Sequence, residues 1–160
     1  MPDTTPCLWF DHGLAEQAAE FYTSVFPRSE ILEVTRYGPD TPGPDGGVMT
    51  VAFSLDGRRF VGLNGGPHFT FNEAVSFQIT CADQDEVDHY WNALSDGGEE
   101  GPCGWLKDRF GVSWQVVPAA LFELTGDPDP GRAQRAVQAM LRMRKLDVAE
   151  LRRAADQVPA

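Results

Sequence analysis

Cys103 and His68 are the side chains of this sequence best placed by type and spacing to do chemistry. Cys103 sits in Gly101-Pro102-Cys103-Gly104, among turn formers, with the ammonium of Lys107 four residues on. A nearby cation favours the thiolate, which is the nucleophilic form of cysteine. No His or acid partner for it is fixed by spacing, and a single Cys more often packs as a small hydrophobe. His68 lies in the connector 64–73 (NGGPHFTFNE), where an imidazole that titrates near neutrality could move a proton. Its plainer role is a loop histidine bonded to backbone. Cys103 and His68 are therefore the catalytic candidates, each with a structural alternative. The Lys107-Asp108-Arg109 run reads as a solvated turn.

Binding groups are suggested by alternation. In residues 74–81, Val75, Phe77, Ile79 and Cys81 fall on one side of a strand and Ser76, Gln78 and Thr80 on the other. Gln115 alternates with Trp114 in the same way, which sends Trp114 toward the outer helices. Ser76, Gln78 and Gln115 are then inward-facing polar groups, and buried polar groups must find partners. A ligand or water would serve. Trp105 opens a short strand just after Cys103-Gly104, where an indole can wall a small-molecule site. Trp91 falls on a helical stripe and reads as core.

These groups sit in a chain of 160 residues with 42% hydrophobic and 23% charged residues, the balance of a globular domain and not of a disordered one. Basic residues number 13 against 24 acidic, a formal charge of −11, which argues against a nucleic-acid partner. The charge is uneven: residues 130–160 carry seven basic and three acidic side chains, so this tail is expected to pack on the acidic body of its own or a partner chain. No apolar run approaches the roughly 18 residues of a membrane helix. The first ten residues lack a basic, apolar leader, so the cytoplasm is the expected location. Three scattered cysteines do not make a disulfide framework. The patterns CxxC, HExxH, GxGxxG in a strand–helix context, GxxxxGK[ST] and GxSxG are all missing.

The elements that must position the candidates follow from periodicity and punctuation. Residues 5–10 read as a strand, and 14–26 as a helix with Leu14, Ala18, Phe21, Tyr22 and Val25 on one stripe. Residues 30–37 are a strand, and the Gly- and Pro-rich 38–47 is a loop. Strands 48–55 and 58–64 flank Asp56-Gly57, a type I′ hairpin signal. The order then repeats: strand 74–81, a helix from the cap Asp83 to about Ser95, and short strands at 99–103, 105–109 and 112–117. After Pro118 the character changes. Asp127-Pro128-Asp129-Pro130 breaks the chain, and helices are predicted over 131–145 and 147–155.

Two strand–helix–strand–strand–strand units in tandem, with the strings TPCLWF (5–10), LNGGPHFTFNEAVSF (63–77), CGWLKDRFGVSWQVVP (103–118) and DPDPGRAQRAVQAML (127–141), resemble the PhnB-like branch of the vicinal-oxygen-chelate superfamily, which includes glyoxalase I and the bleomycin-resistance proteins. That branch carries the label 3-demethylubiquinone-9 3-methyltransferase domain. The resemblance implies an α+β fold of tandem βαβββ modules forming a curved mixed sheet, with modules at 1–66 and 67–118 and a C-terminal helical extension at 119–160. It also implies a homodimer and a ligand held on concave faces. The superfamily's metal positions transfer to Cys7, to the vicinity of Phe60 on a face shared with Gly62 and Asn64, to Ser76 and to Gln115. None of these is His, Asp or Glu, so no metal site is expected. Trp9 shares the parity of Cys7 and so joins the concave lining. The ligand-binding set is then Cys7, Trp9, Asn64, His68, Ser76, Gln78, Trp105 and Gln115. The methyltransferase label implies a Gly-rich strand–helix turn that is not present, so no cofactor is expected. The expected function is binding of a small molecule without a catalytic metal. The alternative is an enzyme of lyase, isomerase or methyltransferase-like chemistry acting on a small aromatic or oxygenated metabolite.

Overall fold

The computed structural model describes residues 1–158. The chain divides into two compact units, Met1–Phe71 and Asn72 onward.

In the first unit, β1 (Cys7–Phe10) leads into α1 (Ala15–Val25), then β2 (Glu30–Arg36), β3 (Val48–Leu55) and β4 (Arg58–Asn64). The sheet order is β1-β4-β3-β2, with β1 parallel to β4 and the other pairs antiparallel. The β3–β4 turn has φ of 48° at Asp56 and 80° at Gly57, the left-handed pair that a type I′ turn requires. One face of the sheet carries α1. Tyr22 stacks on Phe53 and Phe53 on Phe60, with ring centroids 6.1 and 5.6 Å apart, and all three are buried. Gly62 lies beneath Ala15, where an added Cβ would approach the Ala15 methyl to 3.2 Å.

In the second unit, β5 (Ser76–Cys81) leads into α2 (Gln84–Ser95), then β6 (Glu99–Glu100), β7 (Trp105–Lys107) and β8 (Ser113–Pro118). The order β5-β8-β7-β6 repeats the first sheet's topology, again with its first and last strands parallel. The Asp83 side chain accepts the Glu86 amide at 3.0 Å, and the Glu86 carboxylate accepts the Ala82 amide, so α2 starts in a reciprocal cap. Its buried stripe is Val87, Trp91 and Leu94. Strand β6 is shorter than the predicted 99–103, because Gly101 to Gly104 turn away.

Three helices complete the second unit: α3 (Ala119–Thr125), α4 (Pro130–Met140) and α5 (Val148–Asp156). Helix α3 was not anticipated by the periodicity. The predicted helix 131–145 ends at Met140, since Met143 and Arg144 give their carbonyls to the amides of Cys103 and Gly104, both at 2.8 Å. The helices share a core of Val117, Leu121, Leu124, Ala136, Ala139, Leu146, Leu151 and Ala155. Three of the tail's cations meet acids of the same unit: Arg132 with Asp127 and Asp156, Lys145 with Asp88, Arg152 with Glu123. Part of its charge asymmetry is therefore taken up against its own chain.

Candidate functional site

Alternation along β7 and β8 sorts their side chains into two sets. Leu106, Trp114 and Val116 go to the α2 side and are buried. Trp105, Lys107, Ser113 and Gln115 go to the opposite face, with Trp105 beside Gln115 and Lys107 beside Ser113 in register. Ser76 lies next to Ser113 on β5, and Gln78 next to Gln115. The inward polar set expected of Ser76, Gln78 and Gln115 thus shares one face of the second sheet. The Gln115 side-chain amide donates to the Ser76 hydroxyl at 2.9 Å, and Gln78 is exposed.

A cavity of about 400 Å³ opens on this face, lined by Glu73, Glu99, Cys103, Trp105, Lys107 and Ser113 among others. At its base the Ser113 hydroxyl is 1% exposed and has no hydrogen-bond partner. Leaving a buried hydroxyl unpaired costs about 1–3 kcal/mol, so the position is unfavourable unless something fills the cavity. Lys107 is ion-paired to Glu73. The hydrogen bond and charge of Glu73 hold the ammonium above its ordinary range, and Glu99 adds to the effect. The reverse influence holds the Glu73 carboxyl below its own. Lys107 therefore stands on this face as a cation paired to Glu73.

The wall carrying Cys103 is built by the tail. Cys103 has φ of 58° and Gly104 φ of 83°. A Cβ on Gly104 would stand 2.7 Å from the Val116 carbonyl and 3.1 Å from a Leu146 methyl, so this turn admits only glycine there. Gly104 in turn accepts the Val116 amide through its carbonyl at 2.7 Å.

Asp108 corrects the reading of 107–109 as a solvated turn. It is 3% exposed. Its carboxylate accepts the amides of Phe110 and Val112 and the Trp114 indole, at 2.8, 3.1 and 2.8 Å. It holds β8 to the end of β7 and so sets where Lys107 and Ser113 stand. The sequence hid it between two cations, although Asp108-x-x-Gly111 is a turn signal.

The remaining candidates lie in the first unit. Cys7 and Trp9 share a face with Val61 and Leu63, their register neighbours. Trp9 donates to the Gly66 carbonyl at 2.8 Å and meets the Phe69 ring edge-on. His68 is exposed in the same connector. The face assigned to the Phe60 position needs correction: Phe60 and Gly62 turn toward α1, opposite to Cys7. Asn64 accepts the Ala15 amide at 2.9 Å and donates to the Val48 carbonyl at 3.0 Å, so its amide group caps α1 from a distant strand. It also borders a cavity of about 410 Å³ with Asp11, His12 and Tyr37. A larger groove, about 820 Å³, runs between α4 and α5, but its Arg135 is already spent on the Ala155 carbonyl.

The four positions to which the resemblance would assign metal ligands carry a thiol, a phenyl ring, a hydroxyl and a carboxamide. Burial holds the Cys7 thiol above its ordinary range, and Ser76 and Gln115 are bonded to each other. This donor set does not suit a divalent cation. Among the described residues, no three His, Cys, Asp or Glu side chains gather as a metal site.

The family model for 3-demethylubiquinone-9 3-methyltransferase matches residues 2–117. The chain belongs to that family. A PhnB protein of Bacillus cereus described under the same family label is 35% identical over 74% of this chain and 100% of its own, with a TM-score of 0.65. A Pseudomonas aeruginosa protein is 20% identical over 74% and 98% (TM-score 0.62), and a fosfomycin resistance protein of Listeria monocytogenes 16% over 76% and 94% (TM-score 0.52). These last two show the fold alone, the α+β arrangement of the glyoxalase and bleomycin-resistance proteins. No curated protein matches the chain. The family model stops short of the 127–141 string, so α3 to α5 lie outside what the 3-demethylubiquinone-9 3-methyltransferase match covers. The segment joining α4 to α5 nonetheless backs Cys103 and Gly104.

Proposed function

We propose that this protein binds a small, partly apolar organic molecule in the cavity of its second unit, without a metal ion held by the protein. The observation that carries this reading is the buried, unpartnered Ser113 hydroxyl at the base of a cavity walled by Trp105. An indole wall with a few convergent polar groups is the usual make-up of a small-molecule site. A ligand hydroxyl or carbonyl reaching Ser113 would supply the bond that the folded chain lacks. The molecule works as a homodimer in the cytoplasm; three free thiols suit a reducing compartment.

The test is native mass spectrometry of freshly purified protein, followed by titration with 2-phenylethanol while the amide signals of Trp105 and Ser113 are watched by NMR. Retained small-molecule mass, a dimer mass and shifts centred on these two residues are expected. Trp105→Ala should weaken the alcohol at least tenfold. No retained mass and no shift at either residue would end the reading.

A further inference from the structure

We propose that the cavity selects an organic cation: a protonated amine carried on a ring or short apolar body. This rests on the cavity being the binding site and adds the charge of its occupant. Two carboxylates, Glu73 and Glu99, stand on the cavity face against the ammonium of Lys107. Glu73 neutralises Lys107 through their ion pair. Glu99 stands beside Lys107 in register, whereas Glu100 turns to the α2 side and accepts the Trp91 indole N–H at 3.1 Å. The lining is therefore net negative, and its one cation is already claimed. An incoming carboxylate or phosphate would have to displace Glu73 and face Glu99. A protonated amine meets neither obstacle.

Two further features suit the same occupant. Trp105 is part of the lining, and ammonium groups are drawn to indole rings. The Ser113 hydroxyl is buried and has no partner, so it is free to accept a bond from an N–H. The Ser113 hydroxyl, the carboxylates beside Lys107 and the Trp105 indole together match an apolar amine.

Three probes of one shape separate the charges: 2-phenylethylammonium, 2-phenylethanol and 3-phenylpropanoate, titrated into the full-length protein at low salt with NMR detection at Ser113 and Trp105. The amine should bind three- to tenfold tighter than the alcohol, and the carboxylate weakest. Glu99→Gln should narrow the gap between amine and alcohol. Raising the salt should weaken the amine alone. If the alcohol or carboxylate shifts both residues and the amine binds no tighter, the charge selection is wrong and the site survives. If none of the three shifts Ser113 or Trp105, the site itself is wrong.

Discussion

Leu146→Ala measures how firmly the tail holds the cavity wall. Leu146 has no exposed surface, and it packs among Val117, Leu121, Leu124, Ala136, Ala139, Leu151 and Ala155 while pressing on Gly104. Leu→Ala in a core costs about 2–5 kcal/mol, the larger values falling where the surroundings cannot collapse. Here α5 is anchored by the Val148 amide donating to the Gln84 side chain at 2.8 Å, and Gln84 donates back to the Leu146 carbonyl at 3.1 Å. Collapse is hindered on that side, so a cost of about 3–5 kcal/mol is expected. For a chain of this size that lowers the melting midpoint by about 6–20 °C. The sharper readout is amide exchange. The Cys103 and Gly104 amides, bonded to Met143 and Arg144, should exchange roughly 100- to 4,000-fold faster, since each 1.4 kcal/mol is a factor of ten. The Val61 and Gly65 amides, bonded to Pro6 and Phe10 in the first unit, should hold their rates. A loss under 1 kcal/mol, or equal acceleration in both units, would refute the view that the tail clamps this wall.

Three further outcomes follow from the same geometry. Asp108→Ala strands two amides and an indole N–H and should cost about 3 kcal/mol or more by urea titration; a loss below 1 kcal/mol would remove Asp108 from its place in the β7–β8 turn. The Cys81 thiol is pushed up to about 12 by burial first and by Glu86 and Asp83 next. At pH 8 its thiolate is about 1,000-fold scarcer than that of an ordinary thiol titrating at 9.0, so a maleimide should reach it only after denaturation; labelling at the rate of Cys7 would contradict this. Lys145 and Gln84 lower the Asp88 carboxyl. A lowered folded value means stability that is present above the ordinary Asp range and lost as the pH falls through the folded value. Lys145→Met should therefore flatten the fall in melting midpoint between about pH 5 and pH 3, and an unchanged slope would show that the pair contributes nothing.

Local chemistry was legible wherever it was decided locally. The Asp56-Gly57 turn, the Asp83 cap and the alternation in β5 each follow from neighbours in sequence. The face of β4 was not legible, because Phe60, Val61 and Leu63 are apolar on both parities and a one-residue slip exchanges the two faces. The aromatic stack of Tyr22, Phe53 and Phe60 decides it. The end of α4 was hidden for another reason. Its apolar stripe continues past Met140, but the carbonyls of Met143 and Arg144 are needed by a turn 40 residues away. In the candidate site, alternation placed Ser76, Gln78 and Gln115 on one face. The missing partner of Ser113 is a property of packing, which no spacing reveals.

The strand orders also bear on synthesis. In both sheets the last strand of the unit is an inner one: β4 lies between β1 and β3, and β8 between β5 and β7. While the ribosome is still making the segment before Val61, the Cys7 strand has no neighbour on either side, and Ser76 waits likewise for Ser113. A message cut short just before β4 or β8 therefore yields a product with two bare seams where the middle of that sheet should be. Such seams recruit other strands indiscriminately, so incomplete translation products of this chain are marked for clumping or destruction, while each finished half closes its own seam.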